Sequence, residues 1–102
     1  MQTAKRFISN ASVPSAQTTL VTPGVPVQLT LDQVPCAKVF LTAGRSNVGT
    51  LTVGDKLVKY ALPTSGGDII ASNTMEIEVD DLNKIFIDGS NAGDTWSFVY
   101  LF

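Results

Sequence analysis

Residues 95–102 read TWSFVYLF, and the spacing of their aromatic side chains decides the fold. Aromatic rings occupy alternate positions in this stretch: Trp96, Phe98, Tyr100 and Phe102. Because successive side chains of a β-strand point to opposite faces, these rings share one face of a strand, which predicts a heavily buried face. The opposite face is polar at its start, with Thr95 and Ser97, and apolar at its end.

The same period of two recurs in shorter stretches that are bounded by turn-forming residues. Residues 38–43 (KVFLTA) suit a central strand, and Pro26 assigns the stretch 25–31 to the start or edge of a sheet. Further strand candidates are residues 49–54, 57–62, 75–79 and 85–87. No long window keeps a 3.6-residue apolar period, so we expect little or no α-helix. About seven or eight short antiparallel strands predict an all-β fold, a small β-sandwich or jelly roll, with an up-and-down barrel as the alternative.

Composition indicates one domain, residues 1–102, with a surface that another subunit covers in part. A chain of 102 residues is long enough for one domain with a modest core. Hydrophobic residues make up 44% and charged residues only 16%, compared with ~25% charged residues in typical soluble domains. A small monomer needs surface charge to stay soluble, so the low charge favours a protein that assembles.

The N-terminal part of the chain is distinct, because no residue from Phe7 through Leu31 is charged. Two interpretations follow. Residues 1–31 could form edge strands of the same sandwich, or they could form an extended arm that adds a strand to a neighbouring subunit through backbone hydrogen bonds.

Several classes of partner and compartment are not predicted. The net charge is −2 and the only adjacent basic pair is Lys5-Arg6, so no basic cluster favours nucleic acid as a partner. No apolar run has the length of a membrane span, and no signal-peptide pattern follows Lys5-Arg6, so synthesis in the cytoplasm is expected.

Catalytic chemistry is not predicted either. The chain has no histidine, which removes the Ser-His-Asp and Cys-His arrangements and leaves too few ligands for a zinc site. No phosphate-binding glycine motif precedes a helix, and we predict no cofactor. Cys36 is the single cysteine and is expected to be a small buried hydrophobic residue.

Carboxylates and aromatic rings leave two weaker candidates. The loop 88–94 (DGSNAGD) could supply oxygen ligands for calcium, whereas Glu76 and Glu78 fit the solvated face of a strand. Trp96 and Tyr60 could stack on sugar rings, although the neighbours of Trp96 favour a place in the core, and Tyr60 could face either the core or a partner.

A series of stretches in the second half of the chain has a characteristic order. They are an apolar strand (38–43, KVFLTA), a glycine-bounded hairpin (47–55, NVGTLTVGD), an acidic strand (77–81, IEVDD), the stretch 82–87 (LNKIFI), and a Gly-Asp turn into the aromatic last strand (92–102, AGDTWSFVYLF). In this order they resemble small β-sandwich accessory proteins of tailed bacteriophage particles, of the head decoration, cement or head-fibre type. Residues 1–37 and 62–74 lie outside the resemblance.

The resemblance implies a non-enzymatic structural protein that is made in the host cytoplasm and is located in the virion. It would bind the major capsid protein at the capsid surface, as a homo-oligomer such as a trimer, and could stabilise the shell. From the charge-free segment and the aromatic C-terminus we expect intersubunit contacts at Phe7, Val13, Leu20 and Phe102. We also expect one at Tyr60, which could face a partner. The alternative function is a stand-alone carbohydrate-binding module of a fibre or surface protein.

Overall fold

The computed structural model describes residues 7–13, 15–55 and 67–101, which contain eight strands and two short 3-10 helices. In chain order the strands are β1 (Phe7–Ser9), β2 (Val27–Gln28), β3 (Lys38–Ala43), β4 (Leu51–Gly54), β5 (Gly67–Ile69), β6 (Thr74–Ile77), β7 (Phe86–Gly89) and β8 (Trp96–Leu101). Every strand pairing among these residues is antiparallel. The predicted all-β fold is confirmed.

The strand order identifies the architecture as a jelly roll. One sheet has the order β1-β8-β3-β6 and the other has the order β2-β7-β4-β5. Among the described strands only β4 and β5 are consecutive in the chain and adjacent in a sheet, so the other connections cross between the two sheets. This is the order that two Greek keys produce. An up-and-down barrel would pair consecutive strands throughout, so that alternative is wrong.

The core lies between the two sheets and is built from the alternate residues that the period of two predicts. On β8, Trp96, Phe98 and Tyr100 are buried, whereas Ser97 and Val99 are exposed. The central strand β3 has the predicted bounds, and its buried residues alternate with half-buried ones. The second sheet closes the core with further apolar side chains: Leu51, Val53, Ile69 and Ile87.

The stretch 25–31 departs from its predicted alternation. Only Val27–Gln28 forms a strand, and Val25 and Leu31 are 55% and 60% exposed. Pro26 has no N–H to donate to a sheet, which limits the strand at its start. The predicted strand 57–62 lies outside the described residues.

Two other strand predictions are close to the observed bounds. The predicted strand 75–79 appears as Thr74–Ile77, with Glu76 and Glu78 exposed as expected. The strand predicted at 85–87 begins at Phe86 and continues to Gly89.

The described part of the N-terminal segment packs on its own chain. β1 and β2 are edge strands of the two sheets. Between them, Leu20 is fully buried and its N–H donates to the carbonyl oxygen of Asp94 at 2.8 Å. The indole Nε1 of Trp96 donates to the carbonyl oxygen of Gln17 at 2.7 Å. Residues 17–20 are therefore hydrogen-bonded to the chain around the start of β8, and Leu20 belongs to the domain's own core.

A buried carboxylate fixes the end of the sandwich that carries the β3–β4 and β7–β8 loops. Asp94 is 3% exposed and accepts hydrogen bonds from the N–H of Val48 at 3.0 Å and of Gly49 at 2.9 Å. A Cβ at position 49 would collide with the Ser90 hydroxyl and lie 3.3 Å from the Asp94 carboxylate, so this close approach favours glycine. The hydrogen bond from Val48, with a second from Gly49, lowers the pKa of Asp94 below its usual value.

We expect Asp94→Asn to lower the melting temperature by several degrees at neutral pH, because asparagine keeps only one of the two side-chain oxygens that accept from the backbone N–H groups of Val48 and Gly49. Since folding lowers the pKa of Asp94, its stabilisation is present above its unfolded pKa of about 4 and is lost as pH falls through the folded value. The difference between the two proteins should therefore shrink in acid. Thermal unfolding by circular dichroism across pH measures it, and a constant difference would contradict the assignment.

Candidate functional site

The outward face of the first sheet carries a group of apolar side chains. The strand register aligns Phe7 with Leu101, and aligns Val99 with Phe40 in the next outward row. We call these four residues the outer patch. They lie on the faces of β1, β3 and β8 opposite the core.

The outer patch is contiguous across three strands. The rings of Phe7 and Phe40 come from strands that are separated by β8, yet their centroids are 5.9 Å apart and their planes are inclined by 53°. Phe7 is 61% exposed and Val99 is 37% exposed, while Phe40 and Leu101 are half-buried. Isolated exposed apolar residues are common on protein surfaces, but a contiguous group on a rigid sheet is typical of a binding surface.

Polar pairs border the outer patch. The ammonium of Lys38 lies 2.7 Å from the carboxylate of Glu76, and this hydrogen bond raises the pKa of Lys38. Towards the β3–β4 loop, the hydroxyls of Thr42 and Thr74 lie 2.9 Å apart. The outward face thus has an apolar half and a hydroxyl-bearing half. A cavity of about 360 Å³ lies at the end of the hydroxyl-bearing half, next to the β3–β4 loop.

The structure assigns the predicted contact residues to different environments. Phe7 belongs to the outer patch, whereas Val13 is 8% exposed and Leu20 is fully buried in the domain's own core. Tyr60 and Phe102 lie outside the described residues. Sequence reasoning missed Phe40, Val99 and Leu101. These residues could have been found from the alternation, because they are apolar at outward positions of β3 and β8, where a solvated face would be polar.

Cys36 is in an environment that suppresses thiol reactivity. The side chain is half-buried, and its Sγ donates to the carbonyl oxygen of Val79 at 3.1 Å. Burial, with the nearby charges of Asp81 and Asp80, raises the pKa of Cys36 to about 11. The thiol is therefore protonated near neutral pH.

The remaining residues that the sequence suggested for metal or sugar binding have structural roles. One carboxylate oxygen of Asp88 accepts from the N–H of Gly24 at 2.8 Å and of Gly89 at 2.7 Å, and Asp94 is held as described above. Within residues 7–13, 15–55 and 67–101, no three Asp, Glu, Cys or His side chains are grouped so as to hold a metal ion. Trp96 is 3% exposed, so its ring offers no face to a sugar. In the same residues, no helix has the length and hydrophobicity that crossing a membrane requires.

We expect iodoacetamide to modify Cys36 in the folded protein roughly a hundredfold more slowly than in the unfolded protein near neutral pH, because the thiolate fraction falls tenfold for each unit by which the pKa rises. The rate should increase as pH approaches the raised pKa of about 11. Mass spectrometry of quenched samples measures the rate, with urea-unfolded protein as the control. Equal rates in the two states would contradict the raised pKa.

Comparison with known proteins gives no relative on which to base a function. No protein-family model, no curated protein and no solved structure matches the chain. The outer patch and the adjacent cavity are therefore the features from which a function has to be argued.

Proposed function

We propose that this protein is a non-enzymatic structural component of a virus particle that attaches to the capsid surface through the outer patch. The observation that carries the proposal is the contiguous apolar group formed by Phe7, Phe40, Val99 and Leu101 on the outward face of the first sheet, in which Phe7 and Val99 are exposed. The resemblance of stretches within residues 38–102, other than residues 62–74, to accessory proteins of tailed bacteriophages supports the choice of a capsid as the partner.

The outer patch is suited to binding because its scaffold is rigid. Three of its four side chains stand on β3 and β8, which are the two inner strands of their sheet and pair with each other over six residues. A surface held in this way loses little conformational entropy when a partner covers it. Aromatic side chains are enriched in the centres of protein interfaces, and Phe7 and Phe40 provide two.

The surface of the domain is large enough for an interface of standard size. A standard interface takes roughly 800 Å² from each partner, about a seventh of this chain's 5474 Å² surface. Many copies that each bind weakly to a repeating capsid lattice gain strength through multivalency. In this proposal the partner is the major capsid protein, and the protein assembles as a homo-oligomer such as a trimer that stabilises or decorates the shell.

A stand-alone carbohydrate-binding module remains the alternative function, but Trp96 cannot be its sugar-binding residue. Stacking on Trp96 is ruled out as its mechanism because that ring is buried. Trp96→Ala would therefore report on folding and would not report on sugar binding.

The proposal is tested with Val99→Lys and the matched control Val48→Lys. Val48 is 82% exposed, more than Val99 at 37%, and it lies in the β3–β4 loop outside the outer patch. We expect Val99→Lys to weaken co-sedimentation with capsids stripped of this protein at least tenfold, about 1.4 kcal/mol, because the buried contact would desolvate a charge. Val48→Lys should bind like the unmodified protein.

Two further measurements complete the experiment. Circular dichroism must show that both variants are folded, and light scattering of the unmodified protein gives its number of subunits. Proteomics of purified particles must detect the chain. Its absence from particles, or full binding by Val99→Lys, would contradict the proposal.

A further inference from the structure

An open cavity lined mainly by polar residues at the loop end of the first sheet is large enough to hold a small molecule. Its volume is about 360 Å³, within the range of roughly 300–1,000 Å³ that is usual for such sites. It lies where the end of β3, the β5–β6 turn and the start of β8 meet. Six residues line it: Thr42, Ala43, Gly44, Arg45, Ser72 and Ser97.

Arg45 is the single charged residue in this lining. It is exposed, and it forms no ion pair with any residue that the structure describes. The two ion pairs found there use Lys38 and Lys84, and the first of them neutralises Glu76 on the same sheet face. A guanidinium offers a planar pair of donors that matches a carboxylate in a two-point hydrogen bond.

Three hydroxyl groups accompany the guanidinium. Thr42 and Ser97 are register partners on β3 and β8, on the outward side of the sheet, and Ser72 comes from the β5–β6 turn. Each hydroxyl can both donate and accept a hydrogen bond, as the hydroxyls of a sugar ring also do. The cavity is larger than an isolated carboxylate or phosphate needs.

Ser72 has a backbone conformation that favours glycine. Its φ is +69°, in the left-handed region, at the third position of a turn that the N–H of Asn73 closes onto the carbonyl oxygen of Ile70 at 3.0 Å. The N–H of Ser72 donates to the carbonyl oxygen of Ala43 at 3.1 Å, which fixes the turn against β3. A residue other than glycine with a positive φ at a cavity wall is a candidate for a functional role.

We propose that this cavity binds an acidic monosaccharide unit, of the uronic or sialic acid class, with Arg45 pairing with the carboxylate and Thr42, Ser72 and Ser97 bonding the ring hydroxyls. The site is separate from the outer patch and does not depend on the protein's attachment to a capsid. It would give the domain a second activity, the recognition of acidic glycans.

The test is a titration of the isotope-labelled full chain followed by two-dimensional NMR. Glucuronic acid and N-acetylneuraminic acid are the probes, and glucose and acetate are the controls. At least one acidic sugar should shift the amide signals of Gly44, Arg45, Ser72 and Ser97, and these shifts should reach saturation. The dissociation constant of that sugar should be at least tenfold lower than that of acetate. Glucose should leave these signals unchanged. An absence of saturation with both acidic sugars, or equal affinity for acetate, would overturn the proposal.

Variants separate recognition from folding. Arg45→Ala should weaken the acidic sugar at least tenfold, and Arg45→Lys should recover only part of this loss, because an ammonium lacks the planar fork. Ser72→Gly should keep or raise the melting temperature, since glycine accepts the positive φ. The same variant should lower the affinity for the acidic sugar about threefold or more. Unchanged affinity in Arg45→Ala or in Ser72→Gly would contradict the assigned contacts.

Discussion

The pairing of β3 with β8 is the constraint on which the rest of the structure depends. Six consecutive residue pairs, from Lys38 with Leu101 to Ala43 with Trp96, fix the register of the two inner strands of the first sheet. This register directs the aromatic residues of β8 inward, where they form the core with the second sheet. A shift by one residue would turn those rings to solvent and bring Ser97 and Val99 into the core, so a one-residue slip is incompatible with this core.

The same register determines what the surface can do. Burying one side of β3 and β8 necessarily exposes the other side, and there the sequence provides an apolar half and a hydroxyl-bearing half. The side chains of both halves that stand on β3 and β8 have a spacing set by the sheet, whereas Arg45 and Ser72 reach the cavity from a loop and a turn. An attachment surface and a ligand cavity can therefore be adjacent on one sheet face without sharing residues.

The sequence predicted the elements whose pattern is local, and it failed where the outcome depends on distant parts of the chain. The bounds of β3 and the burial of Trp96, Phe98 and Tyr100 follow from alternation alone. Leu20 was expected at a contact, but it is a core residue because the chain beside it crosses the end of the sandwich. No sequence pattern predicts that this segment crosses the end of the sandwich. The cavity could not be predicted, because Arg45, Ser72 and Ser97 come from three segments that only the jelly-roll order brings together.

The β3–β4 connection has a consequence for protein engineering. Asn47 exchanges hydrogen bonds with the backbone of Thr95 at 2.8 Å in each direction, and the Asp94 carboxylate holds the next two N–H groups. A surface loop usually tolerates an inserted peptide because few bonds cross it. Here an insertion between Asn47 and Gly49 would break hydrogen bonds that hold the β3–β4 and β7–β8 connections together. This loop is therefore a poor position for displaying an inserted peptide.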